Sequence, residues 1–157
     1  MLVDYKNLSD SSKVYIYPSS RKFYKEEFPI INDRTEEFLN NFEGVNSFYE
    51  IKFHRFIVII VSDKTPLSIE KNDILVTFIQ SLEKEFNVSL LDKVNVCFKQ
   101  GEYVQLKEIS EFKKLIKNRS VSNKTMVFDN LINTKEEYEN YWELPAKVSW
   151  ISHFFSN

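Results

Sequence analysis

Few residues in this 157-residue chain are of types that usually do chemistry: one cysteine, Cys97, and two histidines, His54 and His153. A nucleophilic thiol needs a nearby cation or base to draw its pKa down. On a strand, Lys99 shares a face with Cys97, which is the one feature that favours reactivity. No histidine or aspartate is spaced to assist, so a buried, inert cysteine is expected. Three such side chains cannot furnish the four closed ligands of a structural zinc site. The pairs Glu26-Glu27 and Glu36-Glu37 are adjacent on a helix and diverge by about 100°, so neither is an acid and base facing one substrate. His54, at a turn, and His153, near the chain end, are expected at the surface. No catalytic residue, metal ligand or cofactor site is assigned.

Glycine narrows the choice further, because Gly44 and Gly101 are the only two. A phosphate-cradling P-loop needs two glycines and Lys-Ser/Thr within eight positions, and the dinucleotide fingerprint needs three within six. Neither can be written here, and the Gly-x-Ser-x-Gly nucleophile elbow fails on the same count.

Charge leaves three surfaces to weigh. The stretch from Lys107 to Lys124 carries six Lys/Arg against Glu108 and Glu111, and Lys113, Lys117 and Arg119 within it could hold the phosphates of RNA or DNA. The plainer reading is a solvated helix with acids near its start and cations near its end, as its dipole favours. The next helix is acidic, with Glu136, Glu137, Glu139 and Glu143 against Lys135, and would either pair with the basic stretch or meet a basic partner. A third surface forms if three loops converge: Arg21-Lys22, the Gln100-Gly101 hairpin and Asn118-Arg119. Arg21, Arg55, Lys99, Gln100, Glu102 and Arg119 would then make a rim for an anionic ligand, since the arginine fork grips phosphate or carboxylate at two points.

The elements that must position these groups follow from periodicity. A strand over Val14 to Tyr17 leads to a helix from about Glu26 to Phe42, closed by Gly44. Two strands, Phe48 to Phe53 and Phe56 to Ser62, flank a two-residue turn at His54-Arg55. Ile74, Leu75, Phe78, Ile79, Leu82 and Phe86 mark a second helix, with Ser68 as N-cap. Val94 to Phe98 and Tyr103 to Leu106 form a hairpin with Gln100-Gly101 at its tip. A helix from about Ser110 to Lys117, a strand Met126 to Phe128, and a helix opened by the capping box Thr134 to Glu137 and ended by Pro145 complete the chain.

That order predicts a single α+β domain over residues 1–157, with the first twelve residues flexible. It begins as a ferredoxin-like βαββαβ unit, followed by an added hairpin strand and a C-terminal α-β-α extension. In Phe56 to Val61 both alternating faces are apolar, as in a strand buried on both sides. The C-terminal aromatics Tyr138, Tyr141, Trp142, Trp150, Phe154 and Phe155 are the expected cover for its second face, a dimer interface being the competing one. Tyr15 and Tyr17 on the first strand would suit base stacking in an RNA-recognition motif, but Phe56-Ile57-Val58-Ile59 lacks the stacking rings of its partner strand.

A single cysteine excludes an internal disulfide, and MLVDYKNLSDSS has neither a basic flank nor a long apolar stretch. A cytoplasmic protein is expected. The longest apolar run, Phe56 to Val61, falls far short of the ~18 residues of a membrane span, so no membrane insertion is expected.

The runs SSRKFYKEEF, HRFIVIIVSD, LLDKVNVCFKQGEYVQLKEISEFKKLIKNR and VFDNLINTKEEYENYWELPA resemble a family of short bacterial proteins commonly labelled "ABC transporter ATPase". The likeness extends from about Lys13 to Phe155, with Phe98-Lys99-Gln100-Gly101-Glu102-Tyr103 and Lys117-Asn118-Arg119 its most specific motifs. The family has small residues ahead of Ser68-Ile69, where this chain has Pro66-Leu67. Its label implies ATP hydrolysis, for which a Walker A lysine is required and which the glycine count forbids. The expectation is therefore a non-catalytic cytoplasmic accessory protein with a protein partner or a second copy of itself. A nucleic-acid binder and a small anionic-ligand binder or enzyme are the alternatives.

Overall fold

The run Phe56–Val61 forms β3, the central strand of a three-stranded antiparallel sheet in the computed structural model, which describes residues 1–155. Its neighbours are β1 (Lys13–Pro18) and β2 (Ser47–Lys52), and Ile16 and Glu50 both lie opposite Val58. All six β3 residues are buried. On one face Ile57, Ile59 and Val61 pack with residues of α1 (Phe28–Asn40) and α2 (Ile69–Phe86), among them Ile31, Leu39, Leu75 and Ile79. At about 1.5–3 kcal/mol per fully buried aliphatic side chain, this is a major source of stability.

The opposite face, Phe56, Val58 and Ile60, meets a second sheet. That sheet has the order β5-β4-β6-β7, from β4 (Val96–Gln100), β5 (Tyr103–Lys107), β6 (Met126–Phe128) and β7 (Glu143–Pro145). Period-two alternation divides β4 between two cores. Cys97 faces β3, whereas Val96 and Phe98 join Val127, Phe112 of α3 (Ile109–Lys117) and Ile151 in a third cluster. The layers run helix, sheet, sheet, helix, an α+β architecture.

The βαββαβ order is present, but β4 does not return to the first sheet as it would in a ferredoxin-like unit. Val96, Cys97 and Phe98 are all buried and β4 pairs on both sides, with β5 and β6. At β1, Val14 N–H instead donates to Asn133 O (2.8 Å), and Lys13 bridges to Thr134. The expected cover of β3 divides accordingly. Tyr138 and Trp142 do lie on its second face, Phe154 and Phe155 go to the third cluster, and Tyr141 is exposed. Tyr15 and Tyr17 face the helix-side core, which leaves no open stacking surface there.

Local signals explain the helix boundaries. Ser68 Oγ accepts from Lys71 N–H at 3.1 Å, and Asn87 closes α2 in the left-handed conformation at φ 52°. Thr134 and Glu137 cap α4 (Lys135–Asn140) reciprocally. Pro145 does not end this helix, which stops at Asn140; it ends β7, an edge strand whose pairing needs no N–H from it. The segment 1–12, where flexibility was expected, makes specific contacts. Val3 N–H donates to Ser47 O (2.8 Å), and the Lys135 ammonium donates to Tyr5 O (3.0 Å) and Leu8 O (2.7 Å). No helix of the described residues is long and apolar enough to cross a membrane.

Candidate functional site

The β2–β3 turn begins one residue earlier than expected and has three residues, Phe53 to Arg55, where two were expected. Lys52 lies opposite Phe56, and within the loop Arg55 N–H donates to Lys52 O at 3.0 Å, a tight turn with Phe53 and His54 at its centre. Their φ values are 55° and 57°, the left-handed region that a type I′ hairpin turn requires at both positions. Side chains there cost on the order of 1–2 kcal/mol each, so the surroundings must hold the turn. His54 O accepts from Phe23 N–H (2.8 Å), Arg55 O accepts from Ser19 N–H (2.9 Å), and the His54 ring lies 4.9 Å from Phe28. The Phe53 ring is lodged near Phe128 (5.4 Å) and Trp142 (6.0 Å).

The β4–β5 turn reaches the same end of the molecule. Its centre is Gly101-Glu102, one residue later than expected, with Gly101 at φ 63°. The Lys22 ammonium, from the loop after β1, stands 5.5 Å from the centre of the Tyr103 ring. Two of the three loops of the expected rim thus converge. Arg119 does not join them: it caps α3 at φ 63°, donating its N–H to Ile116 O (3.1 Å), and it lines neither cleft described below.

Two clefts meet at Phe53. The larger, about 530 Å³, is walled by the rings of Tyr5, Phe48, Phe53, Tyr138 and Trp142. Three carboxylates, Glu50, Glu139 and Glu143, and one ammonium, Lys52, also line it. Glu50 accepts the Tyr138 hydroxyl (2.7 Å), Glu139 accepts the Tyr5 hydroxyl (2.6 Å), and Lys99 pairs with Glu143 (2.6 Å). Burial, reinforced by those carboxylates, pushes both phenols well above the usual tyrosine range. The smaller cleft, about 350 Å³, is lined by Lys22, Phe53, His54, Glu102, Tyr103 and Val104.

The remaining candidate residues have distinct surroundings. Arg21 grips Glu27 through both terminal nitrogens (2.9 and 3.0 Å) and donates to Phe86 O (2.7 Å), a clamp between α2 and the start of α1. That hydrogen bond holds Glu27 below the usual carboxylate range and raises Arg21. Lys99 lies 4.7 Å from the Phe53 ring centre, and its ammonium is engaged by Glu143. Gln100 is exposed and lines neither cleft; Glu102 lines the smaller one. Within the basic stretch, Lys113 lies over the Phe154 ring (4.9 Å) and Lys117 is exposed.

Between the sheets sits a buried polar group. Asn130 donates its amide to Cys97 Sγ (3.4 Å) and accepts the Trp142 indole N–H (3.0 Å). Burial pushes the Cys97 thiol up to about 11, which keeps it protonated at neutral pH. Arg55 is 9% exposed, its Nε has no hydrogen-bond partner, and burial lowers its pKa. Its charge acts in turn on the Cys97 thiol, partly offsetting the effect of burial there.

The larger cleft escapes sequence spacing because its residues come from positions 5, 48–53 and 138–143. One signal for it was present, the acidic run ending at Glu139 and Glu143 beside Trp142. Comparison with family models, with curated proteins and with solved structures finds no match to this chain.

Proposed function

We propose that this chain is a non-catalytic cytoplasmic accessory protein that binds a lysine or arginine side chain of a protein partner in the larger cleft. The observation that carries this reading is the arrangement of Glu50, Glu139 and Glu143 around the rings of Tyr5, Phe48, Phe53, Tyr138 and Trp142. A cation over such rings gains about 0.5–2 kcal/mol, and carboxylates at the rim add charge-assisted hydrogen bonds. Tyr5 and Tyr138 hold two of those carboxylates in place, which lowers the cost of ordering them around a ligand. Two of the chain's own ammonium groups already lie against the Phe53 ring, Lys99 at 4.7 Å and Lys52 at 5.6 Å. An accessory role also agrees with a glycine count that leaves no Walker A loop.

The test is a peptide array bearing lysine and arginine in varied contexts, probed with the intact protein and with Glu139→Gln and Glu50→Gln. Binding that weakens with salt and is lost in the variants is expected; an unchanged pattern in both variants overturns the proposal. A crosslinked pull-down, split into nuclease-treated and untreated halves, supplies the partner. Loss of every captured protein on nuclease treatment would favour Lys113, Lys117 and Arg119 as a nucleic-acid surface instead.

A further inference from the structure

α2 carries more apolar surface than its core stripe needs. Leu75 and Ile79 are almost fully buried against the first sheet. Ile74 and Phe78 each precede one of them, about 100° round the helix, and so lie toward its flank. Ile74 is 44% exposed. Phe78 is half-buried, its ring stacked on that of Phe38 of α1 at 4.1 Å and 7°, and Phe38 in turn lies 4.9 Å from the Phe42 ring. The stacked pair lines a groove between the two helices, on the other side of the first sheet from the larger cleft. Two depressions of about 540 and 500 Å³ make up this groove, and Phe38, Ile74, Phe78 and Ser81 line both. A contiguous apolar patch with a polar rim is the ordinary form of a protein-binding surface.

The rim here is acidic. Glu37, Glu43, Glu70 and Asp73 line the groove, against Arg34 and Lys71. Both cations are already engaged: Arg34 donates through Nε and Nη2 to Glu85 (3.2 and 3.1 Å), and the Lys71 ammonium donates to Glu43 O. The carboxylates of Glu43, Glu70 and Asp73 have no hydrogen bond or ion pair among the described residues. A partner that covers the rings meets these acids, and desolvating them against an apolar or acidic surface is unfavourable. A second copy of this chain laid on the same groove would bring the acids together across a two-fold axis. The surface therefore selects against self-association and for a basic occupant.

We propose that this groove docks an amphipathic helix of a protein partner, with apolar side chains at i, i+3 or i+4, and i+7 against Phe38, Ile74 and Phe78, and with lysine or arginine flanking them. Anchors at that spacing share one face of a helix, the mode in which helices lie in apolar grooves. The flanking cations neutralise Glu43, Glu70 and Asp73. This surface is separate from the larger cleft and does not depend on a side chain being bound there.

Fluorescence anisotropy with a labelled synthetic peptide tests it on the intact chain. The probe is built of leucine, lysine and alanine, with leucines at the anchor spacing, and is about 15 residues long so that it can form a helix. Its controls are a scrambled isomer, which keeps composition and charge but not the spacing, and a version with glutamate for lysine. Saturable binding of the probe, with clear weakening for both controls, is expected. Ile74→Gln should weaken it about tenfold, the worth of one buried aliphatic side chain. Glu70→Gln with Asp73→Asn should weaken it and flatten its salt dependence. All three positions are exposed, so the variants keep the fold. Glu139→Gln, in the larger cleft, should leave binding unchanged. The proposal is overturned by no saturable binding, by equal binding of the scrambled isomer, or by unchanged binding in Ile74→Gln or in the double variant. Loss in Glu139→Gln with full binding in Ile74→Gln would place the peptide in the larger cleft and equally overturn it.

Discussion

The two faces of β3 are built differently although their residues alternate along one strand. Ile57, Ile59 and Val61 enter a largely hydrocarbon core with α1 and α2. Phe56, Val58 and Ile60 enter a core in which aromatic rings are mixed with polar groups: the Cys97-Asn130-Trp142 chain and the Tyr138-Glu50 hydrogen bond. Burying hydrocarbon stabilises the fold without constraint on direction, whereas each buried polar group adds little net stability and fixes an orientation. The helix face holds the fold; the sheet face shapes the two clefts.

Truncation should separate the faces most sharply. Ile59→Ala on the helix face is expected to cost about 2–5 kcal/mol in urea unfolding while leaving binding in the larger cleft intact. A parallel loss of binding would show that the faces are coupled. Asn130→Ala, on the sheet face, leaves the Trp142 indole N–H without its partner and should cost about 1–3 kcal/mol with a change in tryptophan fluorescence. Arg55→Met should have the opposite sign, raising stability by about 1 kcal/mol because it removes a buried Nε that has no hydrogen-bond partner. A destabilised Arg55→Met would mean that the guanidinium is satisfied within the fold.

The smallest of these effects is alkaline. Burial raises the Cys97 thiol from 9.0 to about 11, so the unfolded chain loses this proton first and stability falls as pH rises through that window. Cys97→Ala should remove about 1 kcal/mol of that loss at pH 10, read from unfolding midpoints at pH 8 and 10. An identical pH dependence in the variant would place Cys97 in a more hydrated setting than the inter-sheet core.

What the sequence makes legible follows the same division. β3 is announced by six consecutive apolar residues, α2 by its three-and-four spacing, and α4 by its capping box. These signals are local, and the elements they mark carry the helix-side core. The departure of β4 into a second sheet depends on which edges meet in space, and a strand apolar on both faces is compatible with either sheet. The turn at Phe53-His54 is hidden for another reason: neither side chain favours positive φ, and only tertiary contacts hold it there. Arg55, Lys99 and Glu102 are legible as polar groups near a turn, but the burial of Arg55 is a property of the assembled sheets.

The construction of β3 has a consequence for the chain before it folds. Phe56–Val61 is a six-residue run of high β-propensity with no proline, glycine or charge, the signature of a segment that stacks with copies of itself when exposed. In the native fold both edges and both faces of the run are occupied. In a nascent or unfolded chain its immediate guards are Arg55 on one side and Asp63-Lys64 just past Ser62 on the other. Arg55 thus also works as a gatekeeper against aggregation, and a chain relieved of it would lose solubility during synthesis whatever its removal does to the folded state.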